Sequence, residues 1–317
     1  MRRFVVRRGM LVLGAISLLA GPFSASSPAL ASDGLAVFCG NAVLAAAYDA
    51  LPQARGGTSV DREPAANDTL VEVPDSAKGK GGSRFRVTVD VYFHVVSDGA
   101  IGNVSDAAIA DEIVVMNAGY SGQEGGVETG FRFRLAGVDR TDNAAWFNAG
   151  PGSSDERDMK KALHRGDASD LNYYSTTAGV YLGWAYFPST YKTRPWIDGI
   201  VVDWESMVQT STRYAGAYDL GKTATHESGH WLGLYHTFQG GCNAKGDYVD
   251  DTPPMRVATR GCPEGKDTCS EPGLDPIHNY MDYSYDSCYN QFTAGQTARM
   301  QDQWLFYRAN GGTTAGN

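Results

Sequence analysis

Long apolar runs are scarce in this chain of 317 residues. After the first 31 residues, no segment approaches the ~20 consecutive apolar residues that a membrane-spanning helix needs. A positive charge balance is absent as well, since the formal net charge is −9, and an acidic surface disfavours nucleic acid as a partner. Internal repeats are also missing. The sequence therefore predicts a soluble product with neither membrane nor nucleic-acid partners.

The first 31 residues match a secretory signal peptide rather than a folded element. Four arginines precede an apolar stretch at 10–20, and a small-residue cleavage site follows at 29–31. This segment contains no acidic residue, so its removal takes the net charge down by four, from −9 to −13. We therefore expect a secreted, extracellular protein.

Residues 32–83 differ in composition from the remainder of the chain and are interpreted as a pro-segment with its linker. An alanine-rich stretch at 35–51 predicts one helix. A run rich in glycine, lysine and serine at 78–84 is typical of a flexible, cleavable connector. A disordered tail without a role is the alternative interpretation. Residues 84–317 are then expected to form one folded domain.

Cysteine is scarce too, with five residues in all. Four of them lie in a loop-rich region towards the C-terminal end, where an oxidising environment favours two disulfides: Cys242, Cys262, Cys269 and Cys288. Their order permits three pairings. Cys39 is left over, and such a cysteine in an exported protein is either a reactive thiol or has a partner elsewhere.

Between residues 84 and 310, strands are predicted to alternate with helices. Alternating polarity or short apolar runs predict strands at 86–96, 131–138, 171–174, 181–187 and 199–202. Helical spacing predicts a helix capped by Ser105, a short helix near 159–163, a helix at 220–232, and one at 293–307 with a capping box of Thr293 and Gln296. This order favours an α/β (α+β) domain in which helices back a mixed sheet.

Histidine is rare, yet three of the six histidines lie within residues 226–236. His226 and His230 are spaced i and i+4, so a helix projects both imidazoles from one face. Gly233 can end that helix in the left-handed conformation, which lets His236 return as a third nitrogen ligand. Glu227 stands where it can hold a metal-bound water, so the segment predicts a catalytic zinc site. The alternative is a buried helix whose histidines only form hydrogen bonds.

This arrangement resembles the signature of the metzincins. Further segments resemble the pappalysin family, in particular its ulilysin-like microbial members: residues 236–238, 246–253, 279–284 and 292–296. The likeness extends over roughly residues 85–310. It implies a metzincin-type catalytic domain with a twisted, mixed five-stranded sheet, backing helices and a zinc helix. A loop-rich C-terminal subdomain would carry a methionine turn and a final helix.

The resemblance also implies roles for single residues. Met281 matches the methionine that lies beneath the metal, where a thioether packs under imidazoles. Tyr283 matches a tyrosine that stabilises the oxyanion of the tetrahedral intermediate. Asp247 and Thr252 belong to an oxygen-rich loop in the region where family members bind calcium. Cys39, which a glycine follows, resembles the pro-segment cysteine that occupies the fourth zinc position in a latent enzyme.

The same resemblance bears on the cysteines and on substrate preference. In family members that cut before basic residues, an acid directly precedes the last clustered cysteine. Here that position is Ser287, and Asp286 stands one residue earlier, so the preferred side chain stays open. The disulfide pairing implied by the resemblance is Cys242 with Cys269 and Cys262 with Cys288.

These expectations describe a monomeric, secreted zinc endopeptidase that acts on polypeptides, with zinc and calcium as its cofactors. Glu227 is the expected general base, which takes a proton from the attacking water. Two other classes stay open at this point. One is a catalytically inactive, zinc-stabilised extracellular binding module, and the other is a zinc hydrolase that acts on something other than peptides.

Overall fold

The computed structural model describes residues 72–179, 181–208, 210–211, 213–243 and 245–309. The predicted signal peptide, the helix predicted at 35–51 and Cys39 lie outside the described residues. Within the described ranges, no helix combines the length and apolar character required to cross a bilayer.

Five strands form one mixed sheet, as predicted: β1 (Val87–Ser97), β2 (Phe131–Asp142), β3 (Leu171–Thr176), β4 (Gly183–Ala185) and β5 (Ile200–Asp203). Their order across the sheet is β2-β1-β3-β5-β4. Neighbouring strands are parallel except for β4 and β5, which are antiparallel. The short strand β4 therefore forms one edge of the sheet.

Six α-helices occur in the described part of the chain: α1 (Asp106–Tyr120), α2 (Ala144–Phe147), α3 (Ser154–Leu163), α4 (Pro188–Tyr191), α5 (Lys222–Trp231) and α6 (Ala294–Gln303). Ser105 caps α1, because its hydroxyl accepts a hydrogen bond from the Ala108 N–H at 3.2 Å. The predicted capping box of Thr293 and Gln296 is present at the start of α6. A π-helical turn, Trp304–Arg308, continues α6.

The structure departs from the sequence predictions in several short elements. Helices α2 and α4 were not predicted, and each has only four residues, too few for apolar periodicity to show. Strand β4 covers three residues of the predicted strand at 181–187, because only these pair with β5 and because Pro188 begins α4. Strand β2 runs on to Asp142 alongside the long β1, past a bulge in their pairing.

The sheet separates two apolar clusters, because successive strand residues point to opposite faces. On one face, Phe93 and Tyr173 belong to a cluster with residues of α1, α5 and α6. On the other face, Tyr174 and Trp184 pack with Met159 of α3. The helix that carries the histidines therefore lies on the first face, and the indole of the edge strand is buried on the second.

Residues 72–84 lie against α6, although the sequence predicted a flexible connector at 78–84. The Glu72 carboxylate accepts two hydrogen bonds from the Arg299 guanidinium, each of 3.1 Å. The Gly82 N–H donates to Oε1 of Gln301 at 2.6 Å. A backbone without side chains can approach a helix closely enough for such bonds. Part of the predicted connector thus forms hydrogen bonds with α6, and its flexibility and cleavage stay predictions.

A buried ion pair ties the C-terminal turn to α5. The guanidinium of Arg308 bonds both carboxylate oxygens of Asp198, at 3.0 and 3.1 Å, and donates to the carbonyl of Trp231 at 2.9 Å. It also lies 3.6 Å from the centre of the Trp231 ring, whose Nε1 donates to Asp198 at 2.8 Å. All three residues are fully buried, so each charge depends on its partner.

Replacing Asp198 by alanine should lower the free energy of unfolding by about 3–5 kcal/mol, because the Arg308 charge would stay buried without its partner. Urea or thermal unfolding of the purified protein measures this loss. Asp90→Ala is the control, since it removes the 2.7 Å ion pair with the exposed Arg134, which solvent screens. Equal unfolding midpoints for the two variants would contradict the prediction.

Candidate metal centre and active site

Helix α5 begins without a side-chain cap of its own, because its N-cap is Gly221 in the left-handed conformation (φ 76°). The carboxylate of Asp286 takes this role. Its Oδ2 accepts hydrogen bonds from the N–H groups of Leu220, at 2.9 Å, and Lys222, at 3.4 Å. Negative charge at a helix N-terminus stabilises the helix, so the loop that carries Asp286 helps to place the zinc helix.

The chain reverses after α5 at Gly233, whose φ is 98°. A Cβ at this position would lie 2.5 Å from Cγ of Gln303, so both conformation and space require glycine. The reversal brings the third histidine back to the helix. The Nε2 atoms of three residues lie 3.0–3.2 Å from one another: His226, His230 and His236.

Backbone carbonyls fix the orientation of two of these rings. Nδ1 of His226 donates to the carbonyl of Tyr280 at 2.6 Å, and Nδ1 of His230 donates to that of Leu234 at 2.8 Å. Because a carbonyl only accepts, Nδ1 carries the proton and Nε2 keeps its lone pair. Burial lowers the pKa of His226 and that of His236 to about 3, and takes the pKa of His230 well below its usual value. The rings are therefore neutral at physiological pH.

Lone pairs that point at one another across this short distance repel unless a cation lies between them. Nitrogens bound at ~2.0–2.1 Å to a tetrahedral zinc ion are about 3.3 Å apart, which is close to the observed spacing. Among the described residues, the two other groups with metal-ligand spacing each include two cysteines joined in a disulfide. The histidine cluster is therefore the donor set that fits zinc.

The predicted methionine turn lies directly against the zinc helix. Met281 is fully buried, and its Sδ fills the space that a Cβ on Gly229 would need. The N–H of Met281 donates to Oδ1 of Asn279 at 2.9 Å. The amides of Asn279 and Gln296 exchange two hydrogen bonds, of 2.8 and 2.9 Å, and so fasten the turn to α6. The sequence analysis included both residues in family-like segments but predicted no contact between them.

Both predicted catalytic residues adjoin the histidine cluster. The ring of Tyr283 lies 4.7 Å from that of His236 and 5.7 Å from that of His226. Glu227 is fully buried and lies against the edge strand, since a Cβ on Gly183 would be 3.0 Å from both Cγ and Oε1 of Glu227. Strand β4 therefore passes directly beside the carboxylate.

Comparison of the chain with known proteins identifies its family. The model of the family described as Pregnancy-associated plasma protein-A matches residues 169–304. An extracellular metalloprotease of Pyricularia oryzae is 45% identical over 255 residues, which cover 78% of this chain and 86% of that protein. The chain belongs to the pappalysin family of metzincins. Extracellular metalloprotease 1 of Coccidioides posadasii is 46% identical over 229 residues. This alignment covers 70% of this chain and 79% of that protein.

Solved structures show the same fold as this pappalysin. A mutant of Tannerella forsythia promirolysin matches with a TM-score of 0.62 and 28% identity, over 75% of this chain and 85% of that one. Mature mirolysin of the same organism, in complex with a cleaved peptide, matches with a TM-score of 0.58 and 30% identity, over 71% and 93%. The chain is thus a metalloendopeptidase with the predicted metzincin fold. Zinc is implied by the family and the histidine cluster, and an inactive binding module is not favoured.

A cavity beside the metal centre of this pappalysin is walled by His226, Tyr283 and Asp286, among others. Asp286 is buried, whereas Ser287 is exposed. Asp286, one residue before the position at which the family members carry their acid, is therefore the residue that lines the cavity. Burial raises the pKa of Asp286 to about 7, and its carboxylate also accepts the two bonds at the start of α5 described above.

Two disulfides cross-link the loop-rich C-terminal subdomain of this pappalysin. Cys242 is bonded to Cys269, and Cys262 to Cys288, the pairing implied by the resemblance. Cys288 lies two residues after Asp286, so the second disulfide restrains the segment that walls the cavity. A disulfide of this kind stabilises the fold mainly by constraining the unfolded chain.

The two predicted calcium ligands lie together in one loop. The hydroxyl of Thr252 donates to the Asp247 carboxylate, 2.7 Å from Oδ1, and the Val249 N–H donates to the same oxygen at 3.1 Å. Burial raises the pKa of Asp247 to about 7. Cys39, the predicted ligand of the latent state, lies outside the described residues, and its role stays a prediction.

Proposed function

We propose that this pappalysin is a secreted zinc endopeptidase in which Glu227 acts as the general base. The observation that carries the proposal is the convergence of three neutral imidazoles, with Nε2 atoms 3.0–3.2 Å apart; two of them belong to the helix that also contains Glu227. The residue order His226, Glu227, His230 places the carboxylate beside the first ligand. A non-peptide zinc hydrolase has no comparable support, because the relatives are named metalloproteases.

The chain's own residues supply most of the reaction. Zinc, when bound by the three histidines, polarises the scissile carbonyl and lowers the pKa of water. Glu227 accepts the proton of the attacking water and then delivers it to the leaving amine. Tyr283 donates a hydrogen bond to the oxyanion that develops on the carbonyl. The carbonyls of Tyr280 and Leu234 keep two ligand rings in the tautomer that leaves Nε2 unprotonated.

The proposed substrate is an extended polypeptide that pairs with β4. The side of β4 away from β5 presents backbone N–H and C=O groups, to which a peptide can add as a further strand. Since β4 passes Glu227 at Gly183, a peptide bond in the middle of that added strand would reach the general base. Internal cleavage is the expected outcome.

Secretion and maturation complete the proposal. The relatives are named extracellular metalloproteases, in keeping with the signal peptide predicted at 1–31. We propose a pro-segment at 32–83 and a catalytic domain at 84–317 that acts as a monomer. The contacts of residues 72–83 with α6 are those of the uncleaved chain, in which the proposed pro-segment is still attached.

Glu227→Gln should lower kcat for peptide hydrolysis by about 10²–10⁴-fold, because an amide cannot accept the proton of the attacking water. Bound zinc should stay at one equivalent, since the three ligands are intact. Peptide cleavage and metal analysis of the same preparation provide both numbers. Glu264→Gln, at a side chain that is 73% exposed, is the matched control and should behave like wild type. Normal turnover by Glu227→Gln would refute the assignment.

For latency, we propose that the thiolate of Cys39 occupies the fourth position of the zinc ion in the precursor. A Cys39→Ser precursor should then cleave peptides before any processing, because a serine hydroxyl is a far weaker zinc ligand than a thiolate. Freshly purified, uncleaved precursor is the material to assay. The two processed enzymes should be equally active. Equal latency of the two precursors would exclude this role of Cys39.

For calcium, we propose a site that uses Asp247 and Thr252, in which the cation would offset the burial of the Asp247 carboxylate. Adding calcium to the calcium-free zinc enzyme should then raise the melting temperature by several degrees. Asp247→Asn should abolish this rise, whereas the exposed Asp267→Asn should retain it. A calcium effect that survives in Asp247→Asn would place the ion elsewhere.

A further inference from the structure

A buried carboxylate outside the active site holds the side chains of the edge strand. Glu156 of α3 is fully buried. Its Oε1 accepts a hydrogen bond from Nε1 of Trp184 at 2.7 Å, and its Oε2 accepts one from the hydroxyl of Tyr186 at 3.0 Å. These two aromatic residues are two apart in the chain, so both lie on the same face of the edge segment. The proposed mechanism uses none of the three residues.

The charge of Glu156 is balanced within the same cluster. Nζ of Lys160, one helical turn further along α3, lies 3.4 Å from Oε1 of Glu156. It also donates to the carbonyl of Ile197 at 3.0 Å and lies 4.4 Å from the centre of the Tyr186 ring. Lys160 is fully buried. Apolar residues of the same volume often stabilise a protein at least as well as a buried ion pair, so this cluster needs a reason other than stability.

The position of the edge strand supplies that reason. Strand β4 pairs with β5 through only three residues, which leaves few backbone hydrogen bonds to hold it in place. On one face it meets Glu156 through the indole of Trp184. On the other face Gly183 lies against Glu227, since a Cβ there would be 3.0 Å from Oε1 of Glu227 and 2.6 Å from the Val201 carbonyl. The strand is therefore held between a structural carboxylate and the proposed catalytic one.

We propose that Glu156 is a positioning residue for substrate binding. By fixing Trp184 and Tyr186, it sets the depth and direction of β4 beside Glu227 and keeps the outer backbone groups of the strand aligned for an extended peptide. The inference rests on the proposed function, because it needs β4 to be the strand that pairs with substrate. It assigns to the α3–β4 contact a role in affinity, whereas the chemical step depends on Glu227 and the metal centre.

Two variants remove the donors: Tyr186→Phe keeps the ring, whereas Trp184→Phe also loses the five-membered part of the buried indole. Trp184→Phe removes the indole N–H, and Tyr186→Phe removes the hydroxyl. The matched control is Tyr173→Phe on β3, which removes a buried hydroxyl that donates to Glu112 at 3.1 Å on the face where α1 packs. All three lose one hydrogen bond to a buried carboxyl group, so each should melt at a lower temperature than wild type, and Trp184→Phe should show the largest decrease because it also leaves a cavity.

The measurement is the separation of KM from kcat for an extended peptide of about ten residues, together with zinc content and melting temperature. Trp184→Phe and Tyr186→Phe should each raise KM by about three- to tenfold, with kcat within about twofold of wild type and full zinc content, since a misplaced strand weakens uniform substrate binding. Tyr173→Phe should lose stability with an unchanged KM. Glu156→Gln, which leaves Lys160 without its countercharge, serves only as an additional variant.

A KM equal to wild type in both edge-strand variants, with melting temperatures lowered as in Tyr173→Phe, would overturn the proposal and leave Glu156 a purely structural residue. A rise in KM in all three variants would also overturn it, because the effect would then follow stability rather than the edge strand. Failure of the proposed function gives a different result, namely a zinc-loaded wild-type enzyme that leaves the same peptide intact.

Discussion

Three imidazole lone pairs directed at one point form the constraint on which the rest of this structure depends. The lone pairs of neutral nitrogens 3.0–3.2 Å apart repel one another unless a cation binds between them. Each surrounding element therefore has to hold a ring in place against this repulsion. Helix α5 supplies two rings and the Gly233 turn supplies the third. The methionine turn contributes the Tyr280 carbonyl, which accepts a hydrogen bond from His226, and the Met281 sulfur, which packs against Gly229 of α5. Much of the metal-binding energy is therefore also folding energy for this half of the molecule.

The sequence predicted the elements whose signals are local. Periodicity located all five strands, the i, i+4 spacing located the zinc helix, and Thr293 with Gln296 located the start of α6, because each of these patterns is set by nearby residues. Four-residue helices carry no such period and were missed. The resemblance of motifs, rather than any pattern, supplied the disulfide pairing and the position of Tyr283.

Features that depend on packing between distant segments could not be predicted. The sequence alone did not decide whether Asp286 or Ser287 would reach the cavity, because an irregular loop has no period to count along. The clusters around Glu156 and Asp198 join residues from three or four elements each. Their charged members look like ordinary surface residues in the sequence, and only the fold shows that Arg308 and Lys160 are buried.

The docking of residues 72–84 on α6 has a practical consequence for anyone who shortens the chain. Arg299 bonds Glu72 and, through Nε, donates to the carbonyl of Gly233 at 2.8 Å, so one guanidinium joins Glu72 to the turn that precedes His236. A gene product that starts at residue 84, the proposed start of the catalytic domain, would lose the Glu72 contact and keep the bond from Arg299 to Gly233. A recombinant form that begins upstream of Glu72 would keep both contacts.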